Sequence, residues 1–297
     1  MFQKQREITG HFGAVYCCLV KDQFVYSGGA DHFVTRWSIA TGEQDKFAIK
    51  FEYSVYALEI INENILVVGL SSGGMHFFDL LERKEIKFFT QHTKAIFSIK
   101  SNAKKNQLFV TDAEGNLSVW NTIDYSLMIY LPLDCGKIRK IAISKNGEFA
   151  AFACQDGMIR VFDTENFNEI KTINAHKDGA TSILFHPLNS DVLISGGKDA
   201  LIKIWKWNEQ ELIETIVAHN YAVYALIALV EGQVIASASR DKTIKLWDSN
   251  TFRFIEKLEG KLGGHRHSVN GISTFNENTF VSCSDDGKLI VWELISE

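Results

Sequence analysis

Short runs in which apolar and polar residues alternate recur along the chain, and each run closes on an aromatic residue. The run from Ile235 to Trp247 predicts a strand, a tight turn at Asp241 and a second strand, because Asp side chains stabilise turns and β-branched residues favour strands. An earlier strand is predicted to follow His219 and to open near Val223. Comparable runs end, at intervals of 41 to 45 residues, at Trp37, Phe78, Trp120, Phe162, Trp205, Trp247 and Trp292.

A histidine stands four residues before the first apolar position of the earlier strand in five of these units: His11, His92, His176, His219 and His265. Units of this length, with an early histidine, a turn aspartate and a closing tryptophan, resemble the WD-repeat β-propeller family. The resemblance extends over essentially the whole chain. It implies one all-β domain at residues 1–297, a seven-bladed β-propeller in which every blade is a four-stranded antiparallel sheet.

The two ends of the chain predict how the ring closes. After Trp292 only residues 293–297 remain, too few for a loop and another strand, whereas Gln3–Thr9 is a surplus segment ahead of His11. We infer that Gln3–Thr9 is the outer strand of the last blade. Pairing the two ends in this way removes an open sheet edge.

In the resembling family, the histidine, a serine or threonine, the turn aspartate and the indole N–H form a hydrogen-bonded tetrad, and their donors and acceptors are compatible. A Ser-His-Asp catalytic triad is the alternative for any one unit. Four copies at one repeat phase, without a nucleophile-elbow motif, favour the structural role. The four complete sets are His11, Ser27, Asp31 and Trp37; His176, Ser195, Asp199 and Trp205; His219, Ser237, Asp241 and Trp247; and His265, Ser282, Asp286 and Trp292.

Units two to four depart from this pattern, so we expect them to lack the network and to open before the rest of the ring. The departures are Phe51, Ser72 and Phe78 at the His, Asp and Trp positions of the second unit; Val110 and Glu114 at the Ser and Asp positions of the third; and Asp134, Phe152 and Phe162 at the His, Ser and Trp positions of the fourth.

The resemblance also implies which residues surround the channel mouth, namely those that follow the first apolar residue of each innermost strand. These seven positions are Tyr16, Tyr56, Phe97, Arg139, Thr181, Tyr224 and Asn270. Aromatic side chains are common anchors of protein interfaces, a cationic peptide could stack among them, and Arg139 could pair with a carboxylate. The alternative is that these rings only plug the channel or pack between blades.

Loop residues on the same face extend this candidate site. Phe12 is a large apolar residue in a loop, so we expect its side chain to be covered by other residues of the protein or to contact a partner. Basic residues gather on the loops of blades five to seven, either as solvated charges or as a surface for an acidic partner segment: Lys177, Lys198, Arg240 and Arg266.

Composition limits the classes of partner. The chain has 31 Lys and Arg against 36 Asp and Glu, so its formal charge is −5, which disfavours direct binding to nucleic acid or to an anionic membrane. No apolar run approaches the roughly 18 residues of a membrane span, and residues 1–10 do not resemble a secretory signal. Five cysteines without a CxxC pair indicate thiols in a reducing compartment. We expect a cytoplasmic protein with no metal and no cofactor.

The sequence therefore predicts a non-catalytic scaffold, monomeric as a ring, that docks segments of partner proteins on its top face and channel mouth. The predicted docking residues are Phe12, Tyr16, Tyr56, Phe97, Arg139, Lys198, Tyr224, Arg240, Arg266 and Asn270. Two alternatives stay open: an enzyme with an active site at the channel mouth, and an architectural subunit bound through the sides of its blades.

Overall fold

In the computed structural model, which describes residues 1–295, the repeated alternation of apolar and polar positions folds into 28 β-strands. They form seven four-stranded antiparallel sheets, so the predicted seven-bladed propeller is confirmed. Two single 3-10 turns, Val230–Gly232 and Gly260–Leu262, are the only helical segments of residues 1–295. No helix in that range is long and apolar enough to cross a bilayer.

The first strand, β1 (Phe2–Thr9), belongs to the last blade. The strands of blades one to three, from the channel outward, are β2 (Val15–Lys21), β3 (Phe24–Gly29), β4 (Phe33–Ser38) and β5 (Gln44–Lys50); β6 (Val55–Ile61), β7 (Ile65–Leu70), β8 (Met75–Asp79) and β9 (Lys84–Phe89); and β10 (Ile96–Asn102), β11 (Gln107–Asp112), β12 (Asn116–Asn121) and β13 (Leu127–Pro132).

Blades four to seven repeat this order. Their strands are β14 (Ile138–Ile143), β15 (Phe149–Cys154), β16 (Met158–Asp163) and β17 (Glu169–Asn174); β18 (Ala180–Phe185), β19 (Val192–Gly197), β20 (Leu201–Lys206) and β21 (Glu211–Val217); β22 (Val223–Leu229), β23 (Val234–Ser239), β24 (Ile244–Asp248) and β25 (Phe254–Leu258); and β26 (Val269–Asn276), β27 (Thr279–Ser284) and β28 (Lys288–Leu294).

The seven innermost strands surround a central channel, because each contacts the innermost strand of the next blade and β26 meets β2. We call the face where these strands begin the top face. The hydrophobic core lies between neighbouring blades rather than at the centre of the ring. Between blades seven and one, for example, Val25 and Trp37 pack with Val281 and Leu289. Each blade therefore buries its apolar faces only when both of its neighbours are in place.

The ring closes through β1, as the sequence predicted. This strand pairs antiparallel with β28, from Phe2 opposite Leu294 to Thr9 opposite Lys288, so it begins one residue earlier than the predicted Gln3. Its two inward side chains, Phe2 and Ile8, are almost completely buried. The backbone N–H of Phe2 also donates to Glu256 of blade six at 2.9 Å. The seventh blade therefore depends on residues from the opposite end of the chain.

Deleting residues 1–9 should lower the melting temperature by roughly 10 °C, because the deletion exposes β28 and loses the burial of Phe2 and Ile8, worth about 1.5–3 kcal/mol each. Differential scanning calorimetry measures this change. The double variant Phe2→Ala/Ile8→Ala should account for much of the loss, while Gln3→Ala/Gln5→Ala, on the exposed face of the same strand, should have little effect. An unchanged melting temperature after the deletion would contradict ring closure by β1.

Candidate functional site

The recurring polar residues meet in buried hydrogen-bonded chains within single blades. In blade five the Trp205 indole N–H donates to Ser195 Oγ at 3.0 Å. That hydroxyl lies 2.9 Å from Nε2 of His176, whose Nδ1 contacts Asp199 at 2.9 Å. The corresponding His–Asp contacts are His11–Asp31 at 2.7 Å, His219–Asp241 at 2.9 Å and His265–Asp286 at 3.0 Å. Each polar group thus has a partner inside the blade.

The serine hydroxyls of these four networks are inaccessible to a substrate. Ser27, Ser195, Ser237 and Ser282 have no exposed surface, and each accepts an indole N–H. A nucleophilic serine must reach the carbon that it attacks. These residues therefore hold strands together and form no catalytic triad.

Blade three corrects one prediction. Its predicted Ser and Asp positions hold Val110 and Glu114, yet His92 contacts Asp112 and Ser118, each at 2.8 Å. The Trp120 indole N–H donates to the same Ser118 at 2.8 Å. Ser118 lies directly opposite Val110 on the neighbouring strand. The network is therefore complete, because the hydroxyl can approach the imidazole from either strand.

Blades two and four replace the network with packed rings. Phe51 packs edge-on against Phe78 with ring centroids 5.9 Å apart, and Phe152 packs in the same way against Phe162 at 5.4 Å. Asp134, predicted at the histidine position of blade four, is exposed and does not enter the blade. The neighbouring Cys135 is buried instead. These two blades keep an apolar interior but lack the paired polar groups.

The turn aspartates also fix the top-face loops. Burial acts to raise the pKa of Asp286, but hydrogen bonds from His265 and from backbone N–H groups outweigh it and lower the pKa to about 2. One of those donors is the backbone N–H of Arg266, at 2.9 Å from the carboxylate. Phe12 donates to Asp31 at 3.1 Å in the same way, and Asn220 donates to Asp241 at 3.0 Å. A turn carboxylate thus anchors the first loop residue of three blades.

The structure brings the seven predicted channel-mouth positions to the wall of one cavity of about 460 Å³ at the top of the channel. The channel mouth, as we use the term, consists of Tyr16, Tyr56, Phe97, Arg139, Thr181, Tyr224 and Asn270. Each is the second residue of the innermost strand of its blade. The rigid sheets behind them fix where these side chains stand.

Three of the mouth aromatics form a continuous stack. The Tyr16 and Tyr56 ring centroids are 4.8 Å apart, and Tyr56 stacks on Phe97 at 5.4 Å with an interplanar angle of 23°. All three side chains are half-buried. Burial, together with Tyr56 and Asp285, raises the pKa of the Tyr16 hydroxyl. The stack leaves part of each ring exposed to the cavity.

The remaining mouth residues have different surroundings. Tyr224 is half-buried and lines the same cavity on blade six. Thr181 is buried, and its hydroxyl donates to the carbonyls of Gly196 and Val223 at 3.1 and 2.6 Å, so it serves the contact between blades. Asn270 donates to Asp285 at 2.7 Å and to the Val15 carbonyl at 2.9 Å.

Cations occupy the side of the mouth that blade four contributes. The Arg139 guanidinium lies 5.1 Å from the centre of the Phe97 ring, and the Lys137 ammonium lies 5.9 Å from it. Lys140 lines the cavity as well. Burial and the nearby Lys100 lower the pKa of Lys140. Sequence reasoning missed Lys137 and Lys140, although both adjoin the predicted Arg139 in the chain.

The loop residues predicted to extend the site are all exposed on the top face: Phe12, Lys177, Lys198, Arg240 and Arg266. The backbone N–H groups of Lys198 and Arg240 donate to Gly179 and Ala222, each beside the start of an innermost strand. Arg240 also lies over Tyr221, 5.8 Å from its ring centre, a contact that the repeat pattern did not reveal. Phe12 is 97% exposed, which makes it the most exposed of the large apolar side chains within residues 1–295.

Two family models match parts of this chain. The model "WD domain, G-beta repeat" matches residues 2–38, 210–248 and 256–293, and each match ends one residue after a closing tryptophan. The model "Anaphase-promoting complex subunit 4 WD40 domain" matches residues 104–189. The first match begins within β1, the strand that completes the last blade.

Curated relatives are similar at low to moderate identity. Kinesin-like protein KIF21B of Mus musculus is 23% identical over 93% of this chain and 18% of its own length. COMPASS component SWD3 of Saccharomyces cerevisiae is 24% identical over 78% of this chain and 76% of its own. Nuclear distribution protein nudF of Emericella nidulans is 38% identical over 41% and 28%. The matched region is thus a minor part of two of these three relatives.

Amide hydrogen exchange should be fastest in blades two and four, because they lack the buried networks, while blade three should be protected like blade five. The variant Ser118→Ala leaves His92 and the Trp120 indole without their shared partner, which costs about 1–3 kcal/mol, so blade three should then open with its neighbours. Exchange followed by mass spectrometry measures each blade. Uniform protection around the ring would contradict this order.

Proposed function

The chain belongs to the WD-repeat β-propeller family, and on that basis we propose that it is a non-catalytic scaffold that docks segments of partner proteins at its channel mouth. A relative that aligns with 78% of the chain is named as a component of an assembly, COMPASS, which supports a role in bringing proteins together. Propeller architecture alone assigns no activity, so the proposal depends on the mouth.

The half-exposed aromatic stack of Tyr16, Tyr56 and Phe97 is the observation that carries the proposal. Aromatic side chains supply large contact areas at little entropic cost, and they dominate the energetics of many interfaces. A cavity of about 460 Å³ beside the stack favours docking over a plug, because plugging side chains would occupy that volume.

The contacts of the serines and histidines in the repeated networks support the proposal that the protein is not a catalyst. The four serines of the predicted tetrads are buried and accept indole N–H groups, and the four histidines contact the turn aspartates. At the mouth, Asp285 accepts a hydrogen bond from Asn270. An enzyme needs a nucleophile or a general base that can reach its substrate.

The proposal includes protein partners rather than nucleic acid or membrane, and a cytoplasmic, monomeric ring. A net charge of −5 opposes non-specific attraction to polyanions. All five cysteines are free thiols, three of them buried, which suits a reducing compartment.

A second candidate function is an architectural subunit that contacts its partners through the sides of its blades. The specific observation is a set of exposed apolar side chains on the outermost strands of blades five and six: Leu212, Ile213, Phe254 and Ile255. Exposed apolar groups on unpaired edge strands are typical of surfaces that become covered.

Replacing Tyr16 and Tyr224 together by Ala should weaken partner recovery by roughly tenfold or more, because two interface anchors are lost while both residues are only half-buried and the blade cores are untouched. Affinity purification with quantitative mass spectrometry measures recovery, and circular dichroism verifies the fold. The matched control Leu212→Ala/Phe254→Ala removes two exposed apolar side chains from the blade sides. Loss of partners in the control alone would favour the architectural function and contradict docking at the mouth.

A further inference from the structure

Three cations on one side of the cavity have no acidic partner. Lys100, deeper in the channel, pairs with Glu59 at 3.5 Å, and Glu59 also accepts the Ser101 hydroxyl. By contrast, Lys137, Arg139 and Lys140 have no carboxylate within 4 Å among residues 1–295. A protein with a net charge of −5 thus concentrates unpaired positive charge on one wall of the cavity at its channel mouth.

The Phe97 ring positions the Arg139 guanidinium, which lies over its face. An arginine side chain that stacks on an aromatic face keeps the N–H groups at the edge of its guanidinium available for a planar acceptor such as a carboxylate. The Arg139 guanidinium stands 5.1 Å from the ring centre, and the Lys137 ammonium stands at 5.9 Å. Because these two cations already contact Phe97, a cationic peptide side chain would meet repulsion there.

The acidic group in the cavity wall lies away from these cations. Asp285, on blade seven, accepts a hydrogen bond from Asn270, and its charge contributes to the raised pKa of Tyr16 on blade one. Around the mouth from blade seven through blades one to three, the aromatic stack of Tyr16, Tyr56 and Phe97 separates Asp285 from the blade-four cations, and Tyr224 and Thr181 of blades six and five separate them on the other side. The cavity is therefore polarised, with a cationic wall next to an aromatic wall.

The basic surface continues outward from the mouth. Lys198 and Arg240 are exposed on the loops of blades five and six, beside the starts of β18 and β22. A segment that leaves the cavity over this side meets further positive charge. The positive electrostatic potential of Lys198 and Arg240 would attract an acidic segment and speed its association.

We propose that the channel mouth binds a linear peptide segment in which an Asp or Glu side chain lies near a large apolar side chain. The carboxylate pairs with Arg139, assisted by Lys137 and Lys140, and the apolar side chain packs on Tyr16 and Tyr56. Side chains two positions apart in an extended peptide point the same way and are about 7 Å apart. That spacing suits two subsites that both adjoin Phe97. The inference rests on the proposed docking function and names its ligand chemistry.

A phage-displayed library of linear 12-residue peptides, selected on the intact protein, tests this proposal. Enriched peptides should carry Asp or Glu close to an aromatic or large aliphatic residue. In fluorescence anisotropy, Arg139→Gln should weaken a selected peptide roughly tenfold or more, since a hydrogen bond to a charged group is lost. Changing the acidic residue of the peptide to its amide should weaken binding similarly. Lys87→Gln, the same charge change on the exposed side of blade two, should leave affinity within about twofold.

The outcomes separate the two proposals. Peptides that need Tyr16 and Tyr224 but carry Lys or Arg, or that ignore Arg139→Gln, would overturn the acidic specificity and leave docking at the mouth intact. Selection that yields no peptide sensitive to Tyr16→Ala/Tyr224→Ala would overturn both. Enrichment of acidic peptides whose affinity falls equally in Arg139→Gln and Lys87→Gln would show general charge attraction and would also contradict a defined carboxylate subsite.

Discussion

A buried pair of imidazole and carboxylate groups constrains the upper half of five blades. The histidine connects the turn aspartate to a hydroxyl and an indole in the blade interior, as in His176, Asp199, Ser195 and Trp205. In three blades the same carboxylate also holds the first amide of a top-face loop. Because leaving any member unpaired is costly, the network holds the first residues of these loops in place together with the strands. The shape of the top face follows from this constraint.

Residues that repeat in every blade and residues that differ between blades have different roles. The repeated polar groups hydrogen-bond to one another inside the blades. Residues that could recognise a partner therefore lie at positions whose residue type differs from blade to blade. At the mouth these positions combine an aromatic stack on blades one to three with cations on blade four. Because these charged and aromatic side chains stand on rigid strands and are already held in place, little conformational entropy is lost when a partner binds.

The period of the sequence, together with its resemblance to WD-repeat propellers, was enough to predict the blades, the closing strand and the seven positions that line the cavity, because equivalent residues of each repeat take equivalent places in their blades. It failed at Ser118, which reaches His92 from the strand opposite Val110 and so is invisible to a comparison of equivalent positions. It also failed at Asp134, since Cys135 is the residue that turns inward. Contacts such as Arg139 with Phe97 join different blades through side-chain conformation, which the repeat does not encode. The binding roles of the mouth residues stay predictions.

The claim that the mouth is the docking surface is tested most directly by photo-crosslinking. A benzophenone amino acid placed at position 224, in the cavity wall, should yield discrete crosslinks to partner polypeptides in native extract, and the Arg139→Gln change should reduce them. The same group at position 212, on the outermost strand of blade five, should give few. Crosslinks that arise from position 212 and not from position 224 would contradict the account and assign the partner to the blade sides.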